Sequence, residues 1–204
     1  MAFVPTEKHP LEPFLPSGAR ILMLGSFPPA RKRWSMEFFY PNWINDMWRI
    51  MGLVFFADKE YFVEENADGN KARRFSREKC AGFAEEKGIA MYDTACEVRR
   101  LKDNASDKFL EVVTPTDLTS LLSQIPDCNA IVTTGQKATD VVCGMLGCKE
   151  PAVGNWTECT FDDKENRTRS IRFWRMPSSS RAYPLALDKK ADHYRKMFET
   201  EGLI

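Results

Sequence analysis

Three short clusters in this 204-residue sequence carry residue types suited to holding a ligand. Gly25-Ser26-Phe27-Pro28-Pro29 closes one apolar run, Thr134-Gly135-Gln136 another, and Met176-Pro177-Ser178-Ser179-Ser180 a third. An aromatic triplet, Phe38-Phe39-Tyr40, and an amide, Asn45, lie between the first two clusters. These groups can stack, donate and accept hydrogen bonds, and orient water. Each also has a plain structural use: aromatics fill cores, serine loops coat surfaces, and Asn ahead of a helix caps it. Nucleophilic and metal chemistry have little to work with. No G-x-S-x-G elbow is present and there are only two histidines, which argues against a serine hydrolase. Cys80, Cys96, Cys128, Cys143, Cys148 and Cys159 form no C-x-x-C pair, so neither a structural zinc site nor an iron–sulfur cluster is expected, and no cofactor is implied.

The elements that would position these clusters follow from periodicity. ARILMLGS is a short apolar run of the kind found in buried parallel strands, and GIAMYDT, NAIVTT and SIRFWRM read as three further strands. Residues 46–51, 71–87, 116–124, 136–146 and 191–201 have helical character, with Gly88 and Gly147 as terminators. Residues 1–18, broken by four prolines, read as an irregular arm, and the segment from Phe27 to Asn45 reads as a long loop. The expected fold is α/β: a three-layer α/β/α domain over residues 1–204 around a central four-stranded parallel sheet. Ligands of such sheets lie beyond the carboxyl ends of the strands. The three clusters should therefore converge.

Composition narrows the setting. Hydrophobic residues make up 43%, enough for one sizeable core, and no apolar run approaches the roughly 20 residues of a membrane span. The opening segment lacks the pattern of a secretory signal, so a cytoplasmic, nucleoid-associated location with reduced cysteines is expected. Net charge is zero, which weighs mildly against nucleic acid. Basic residues nevertheless cluster at 31–33, 71–77 and 167–175.

The ordered motifs ILMLGSFPP, EFFYPNW, Asn45-Asp46-Met47-Trp48-Arg49-Ile50-Met51, GIAMYDTACEVRR, VVTPTDLTSLLSQIPDCNAIVTTGQKA and MPSSSRA together resemble the uracil-DNA glycosylase superfamily. The similarity is greatest to its hypoxanthine and mismatch-specific branches and covers roughly residues 19–200. The sequence departs from the family pattern at Pro29, where a Gly is usual, at Thr134, where relatives often carry Asn, and at Met176, where many uracil enzymes have His. The spacing from the aromatic pair to Asn45 is about two residues longer.

The resemblance implies a monofunctional, monomeric DNA-repair glycosylase that flips a damaged or deaminated base out of DNA and hydrolyses its N-glycosidic bond. Asn45 would place the water or hold the sugar, with Asp46 and Glu37 as alternative general bases. The N–H groups of Ser26 and Phe27 would stabilise the departing base, because Pro28 and Pro29 have none. Gly25, Phe39, Tyr40 and Thr134 would contact the base, with Phe39 as the stacking ring. Pro177, Ser178, Ser179, Ser180 and Arg181 would contact DNA. The departures keep a second reading open, a catalytically silent module that binds damaged DNA or nucleotides. A hydrolase of free nucleosides is disfavoured by the basic clusters.

Overall fold

A computed structural model describes residues 4–102 and 107–204. Its strands are β1 (Thr6–Lys8), β2 (Ile21–Gly25), β3 (Val63–Glu65), β4 (Lys71–Phe75), β5 (Ile89–Asp93), β6 (Ala95–Arg100), β7 (Leu110–Pro115), β8 (Ala130–Thr133), β9 (Asn155–Asp162) and β10 (Thr168–Arg175). Its helices are α1 (Met47–Phe56), α2 (Arg77–Glu86), α3 (Leu118–Gln124), α4 (Gln136–Leu146) and α5 (Leu187–Thr200).

The four expected strands form β5, β2, β8 and β10, which lie side by side in that order and all run parallel. The central sheet is nevertheless not a four-stranded parallel one. β9 adds an antiparallel edge along the whole of β10, so the described sheet has five strands and is mixed. Only Cys159 of β9 is buried. Its exposed polar residues carry no apolar signal, and pairing with β10 alone makes it a strand.

Every residue of β2, β5 and β8 is buried, which requires cover on both faces. The connections between these parallel strands supply it. The β2-to-β5 connection carries α1 and α2, and α5 packs on α1. The connections from β5 to β8 and from β8 to β10 carry α3 and α4 across the other face.

Two further expectations need correction. Residues 71–87 are not one helix. Lys71–Phe75 is β4, paired antiparallel with β3, and α2 begins only after Ser76, whose hydroxyl accepts the Lys79 N–H at 3.3 Å. Lys and Arg favour helix, but burial of Phe75 and ion pairing of Lys71 with Glu65 and of Arg74 with Glu64 hold this stretch in a hairpin. Gly88 does terminate α2, at φ +64°. The N-terminal arm is also partly regular. β1 pairs with β6, which pairs with β7, and Phe14 bridges to Met91. Residues 1–3 of the arm lie outside the described residues.

Among the described residues no helix is long and apolar enough to cross a membrane. All six cysteines are free thiols.

Candidate functional site

The carboxyl ends of β2, β5 and β8 open into a cleft of about 670 Å³, within the size range of small-ligand pockets, roughly 300–1,000 Å³. Gly25, Ser26, Phe27, Phe39, Tyr40, Asn45, Thr134, Ser178, Ser179, Ser180 and Arg181 all line it. These residues come from four separated stretches of chain, brought together by strand order. Pro177 is buried outside the lining, where its carbonyl accepts the Tyr194 hydroxyl at 3.2 Å. Its role is to anchor the serine loop from beneath.

The floor of the cleft is built on the sheet. Gly25 stands opposite Asp93 in the β2–β5 register. A Cβ at residue 25 would sit 2.3 Å from Asp93 Oδ1, with the Tyr40 ring next, at 3.9 Å. The glycine therefore admits the carboxylate. Tyr40 adopts a left-handed backbone (φ 52°), a conformation that is costly for a bulky residue, and its hydroxyl lies 3.1 Å from Thr134 Oγ1. Burial pushes the Tyr40 hydroxyl well above its ordinary value, an effect only partly offset by Thr134, so it is a neutral hydrogen-bonding group. Phe39 is nearly enclosed and packs edge-on against Phe38 and Tyr92. Its carbonyl accepts the Trp48 indole N–H at 2.9 Å.

The first loop is tied down by its carbonyls. The Pro28 carbonyl accepts from Arg100 at 3.1 Å and that of Pro29 from the Trp34 indole at 2.7 Å. The Phe27 side chain is buried with Ala95, Val98 and Leu110. Among the described residues, no backbone hydrogen bond uses the N–H of Ser26 or Phe27. The Pro28 and Pro29 carbonyls and the Phe27 ring are thus engaged by the protein, and the Ser26 and Phe27 N–H groups are the donors this loop can offer a ligand.

Asn45 is held through its backbone, its N–H donating to the Asn42 carbonyl at 2.8 Å and its carbonyl accepting from Arg49 at 3.2 Å, and through its side chain. Its Oδ1 accepts the Met47 N–H at 2.9 Å, and its backbone forms an antiparallel bridge to Ser180. The cap position of α1 is Asp46, whose side chain makes no capping bond. Asn45 therefore fastens the first turn of α1 while lining the cleft. Its Oδ1 keeps a second lone pair, and its amide N–H groups remain for a ligand.

The two alternative bases sit elsewhere. Asp46 is buried outside the lining and clamped, with Oδ1 accepting from Arg181 at 2.9 Å and Oδ2 from Lys190 at 3.2 Å. Glu37 is exposed and paired with Arg31. Neither faces the cleft.

The rim is made by residues 178–184. Ser178 Oγ accepts the Ser180 N–H and Ser180 Oγ accepts the Ala182 N–H, both at 3.2 Å. These turns shape the loop, and the Arg181–Asp46 pair ties it to α1.

Sequence reading missed three cleft residues and one that braces them. Asp93, Asp107 and Arg100 line the cleft. His9, from the arm, holds Asp93 Oδ2 through Nε2 at 2.8 Å. Burial raises the Asp107 carboxyl above its ordinary value; the Ser26 hydroxyl opposes this and the charge of Asp93 adds to it. The available signal was positional. Asp93 ends an apolar run that reads as a parallel strand, where ligands gather, and His9 is one of only two histidines.

No protein-family model and no curated protein matches this sequence. Among solved structures, the chain is similar to one described as a "putative Uracil DNA glycosylase" from Methanosarcina acetivorans, solved by solution NMR. The match has a TM-score of 0.58 and 18% identity, and it covers 93% of this chain and 97% of that one. At this identity the likeness establishes a shared fold.

Proposed function

We propose that the protein is a DNA-repair glycosylase that hydrolyses the N-glycosidic bond of a flipped-out deaminated base, uracil or hypoxanthine. The observation that carries this reading is the cleft, in which Gly25-Ser26-Phe27, the Phe39–Tyr40 pair, Asn45 and the Ser178–Arg181 rim face one volume. The fold shared with a structure described as a glycosylase is consistent with it.

The chemistry follows from position. A base extruded from the stack enters between Tyr40, Phe39 and the first loop, while its sugar and flanking phosphates stay at the rim. As the bond to C1′ lengthens, negative charge builds on the base. The N–H groups of Ser26 and Phe27, for which no backbone partner is found among the described residues, would receive it from a loop already tied in place. The sugar gains oxocarbenium character and needs only a placed water, not a strong base. The remaining donors of Asn45 suit that task. Ser178–Ser180 and Arg181 supply phosphate contacts.

One observation favours the silent-module alternative: Asn45 Oδ1 is already engaged by Met47, so its amide has a structural duty that needs no catalysis. Single-turnover assays decide between the two. Oligonucleotides bearing uracil, hypoxanthine or xanthine are incubated with excess protein and then cleaved by alkali at any abasic site. Strand cleavage on uracil or hypoxanthine is expected. Tight DNA binding with no base released from any substrate would leave the silent module standing.

A further inference from the structure

We infer that the cleft draws its base from duplex DNA, and that Ile44, at the tip of a rigid turn on the lip ahead of α1, enters the helix to fill the space the base leaves. This rests on the cleft being a base-binding pocket and adds the form of DNA it acts on.

Ile44 is 47% exposed and lines the cleft beside Asn42 and Asn45. An exposed aliphatic side chain by itself means little. This one is held in place. The Asn45 N–H donates to the Asn42 carbonyl at 2.8 Å, closing a turn with Trp43 and Ile44 at its tip. Asn42 Oδ1 accepts the Ile44 N–H at 3.2 Å. The half-buried Trp43 ring packs against the Arg49 guanidinium, 4.3 Å from its centroid, and against Phe75 at 5.0 Å. The same Arg49, itself buried, donates to the Trp43 and Asn45 carbonyls, one on each side of Ile44, at 2.9 and 3.2 Å. The bridge from Asn45 to Ser180 ties the turn to the rim. The backbone is thus fixed on both sides of Ile44 while about half of the residue stays in water. The rim itself offers less. Ala182 is exposed but short, Arg181 is tied to Asp46 at 2.9 Å, and the half-buried Tyr183 donates its N–H to the Ser180 carbonyl.

Drawing a base out of a duplex breaks its stacking and pairing and bares the faces of its neighbours. An apolar side chain inserted there restores contact with those faces and loses its own exposure to water in the same step. Ile44 suits the task because its β-branched side chain is stiff at χ1 and its turn is already fixed, so entry costs little conformational entropy. A single strand has no paired helix to hold open, and the same side chain contributes little there. That contrast separates a wedge from a wall of the pocket, since a wall touches the base in either setting.

The test compares uracil- and hypoxanthine-bearing oligonucleotides as single strands and as duplexes. In one set a 2′-fluorine on the target nucleotide slows bond cleavage, and an adjacent 2-aminopurine brightens when its neighbour leaves the stack. Wild type should raise the fluorescence of the duplex, and Ile44→Ala should remove most of that rise. In the unfluorinated set, single-turnover base release by Ile44→Ala should fall about tenfold or more from the duplex, the worth of one buried aliphatic side chain. Release from the single strand should stay within about twofold of wild type, as expected of an exposed position that leaves folding unchanged. Ile44→Leu should restore the duplex rate. An equal loss on both forms of DNA makes Ile44 a wall of the pocket and overturns the proposal. So does a duplex-specific loss that appears in Tyr183→Ala and not in Ile44→Ala, and so does a duplex whose fluorescence wild type leaves unchanged. A fluorescence rise that depends on Ile44, with no base released from any substrate, would sustain the wedge and remove the glycosylase reading. Base release confined to single strands would do the reverse.

Discussion

The floor and the rim of the cleft are built in opposite ways. On the floor, Gly25, Asp93 and Thr134 extend strands whose residues are almost all buried, and His9, Tyr40 and Phe39 are packed around them. On the rim, residues 178–184 are held by serine turns, a bridge to Asn45, an ion pair from a half-exposed arginine, and two hydrogen bonds from α1 and α5, Asp46 N–H to the Ser179 carbonyl and the buried Lys190 ammonium to the Ser180 carbonyl, both at 2.8 Å. The floor is preorganised by the core. The rim is a loop pinned to that core at a few points. Under the proposed function, such a division would let the floor hold one base rigidly while the rim adjusts to the DNA around it, since local openings cost least where buried contacts are few.

Asp46 ties the rim to α1 and α5, so its loss should have the largest effect. Asp46→Ala removes the carboxylate partner of Lys190, which is itself 1% exposed and keeps the Ser180 carbonyl at 2.8 Å, and unties Arg181. Stranding a buried charge typically costs roughly 3–5 kcal/mol. Chemical denaturation should show a loss of that order. A change within about 0.5 kcal/mol would mean that water or another group satisfies Lys190 and that the clamp is dispensable.

Asn45→Ala should lower single-turnover base release by roughly 10²-fold while costing about 1 kcal/mol of stability through the lost bond to Met47. DNA affinity should hardly change. Asn45→Asp preserves the acceptor for Met47 and so restores stability, but places a charge near the scissile bond. Recovery of both stability and rate in Asn45→Asp would reduce Asn45 to a cap.

Alkaline pH should weaken the core that supports the floor. Burial pushes the Cys128 thiol up to about 12 and raises the Cys80 thiol and the Tyr40 hydroxyl as well. The unfolded chain ionises its thiols near their ordinary value, about 8.5. Groups raised on folding contribute stability that is complete below that pH and declines as pH rises toward their folded values. Thermal unfolding followed from pH 7 to 10.5 should therefore show a falling midpoint above about pH 8.5. A flat profile would show that these thiols are accessible in the folded state.

The smallest effect is expected at the rim itself. Arg181→Ala should weaken DNA binding a few-fold and reduce the salt dependence by about one phosphate contact. Because Arg181 is half exposed and Asp46 keeps Lys190, this ion pair contributes on the order of 1 kcal/mol or less to folding. A salt slope identical to that of wild type would place the phosphate contacts elsewhere.

The sequence by itself determined those features whose signal is local. β2, β5 and β8 were legible because each is a mostly apolar run buried on both faces, and β10, which carries arginines, was legible from its Ile-Phe-Trp core. The convergence of Gly25, Thr134 and the serine loop followed from strand order alone. What only tertiary structure decided are the pairings made at long range. β9 is a strand because β10 lies beside it, and its polar side chains would fit a loop equally well. Lys71–Phe75 has helix-favouring residues, and the hairpin with β3 overrides them. Asp46 stands one residue from Asn45, where a base seemed available, yet Arg181 and Lys190, 135 and 144 residues away, consume its charge. His9 meets Asp93 across 84 residues, and neither residue type announces that contact. Periodicity records which face of an element is buried. Which polar groups meet inside the fold depends on where separate elements finally pack.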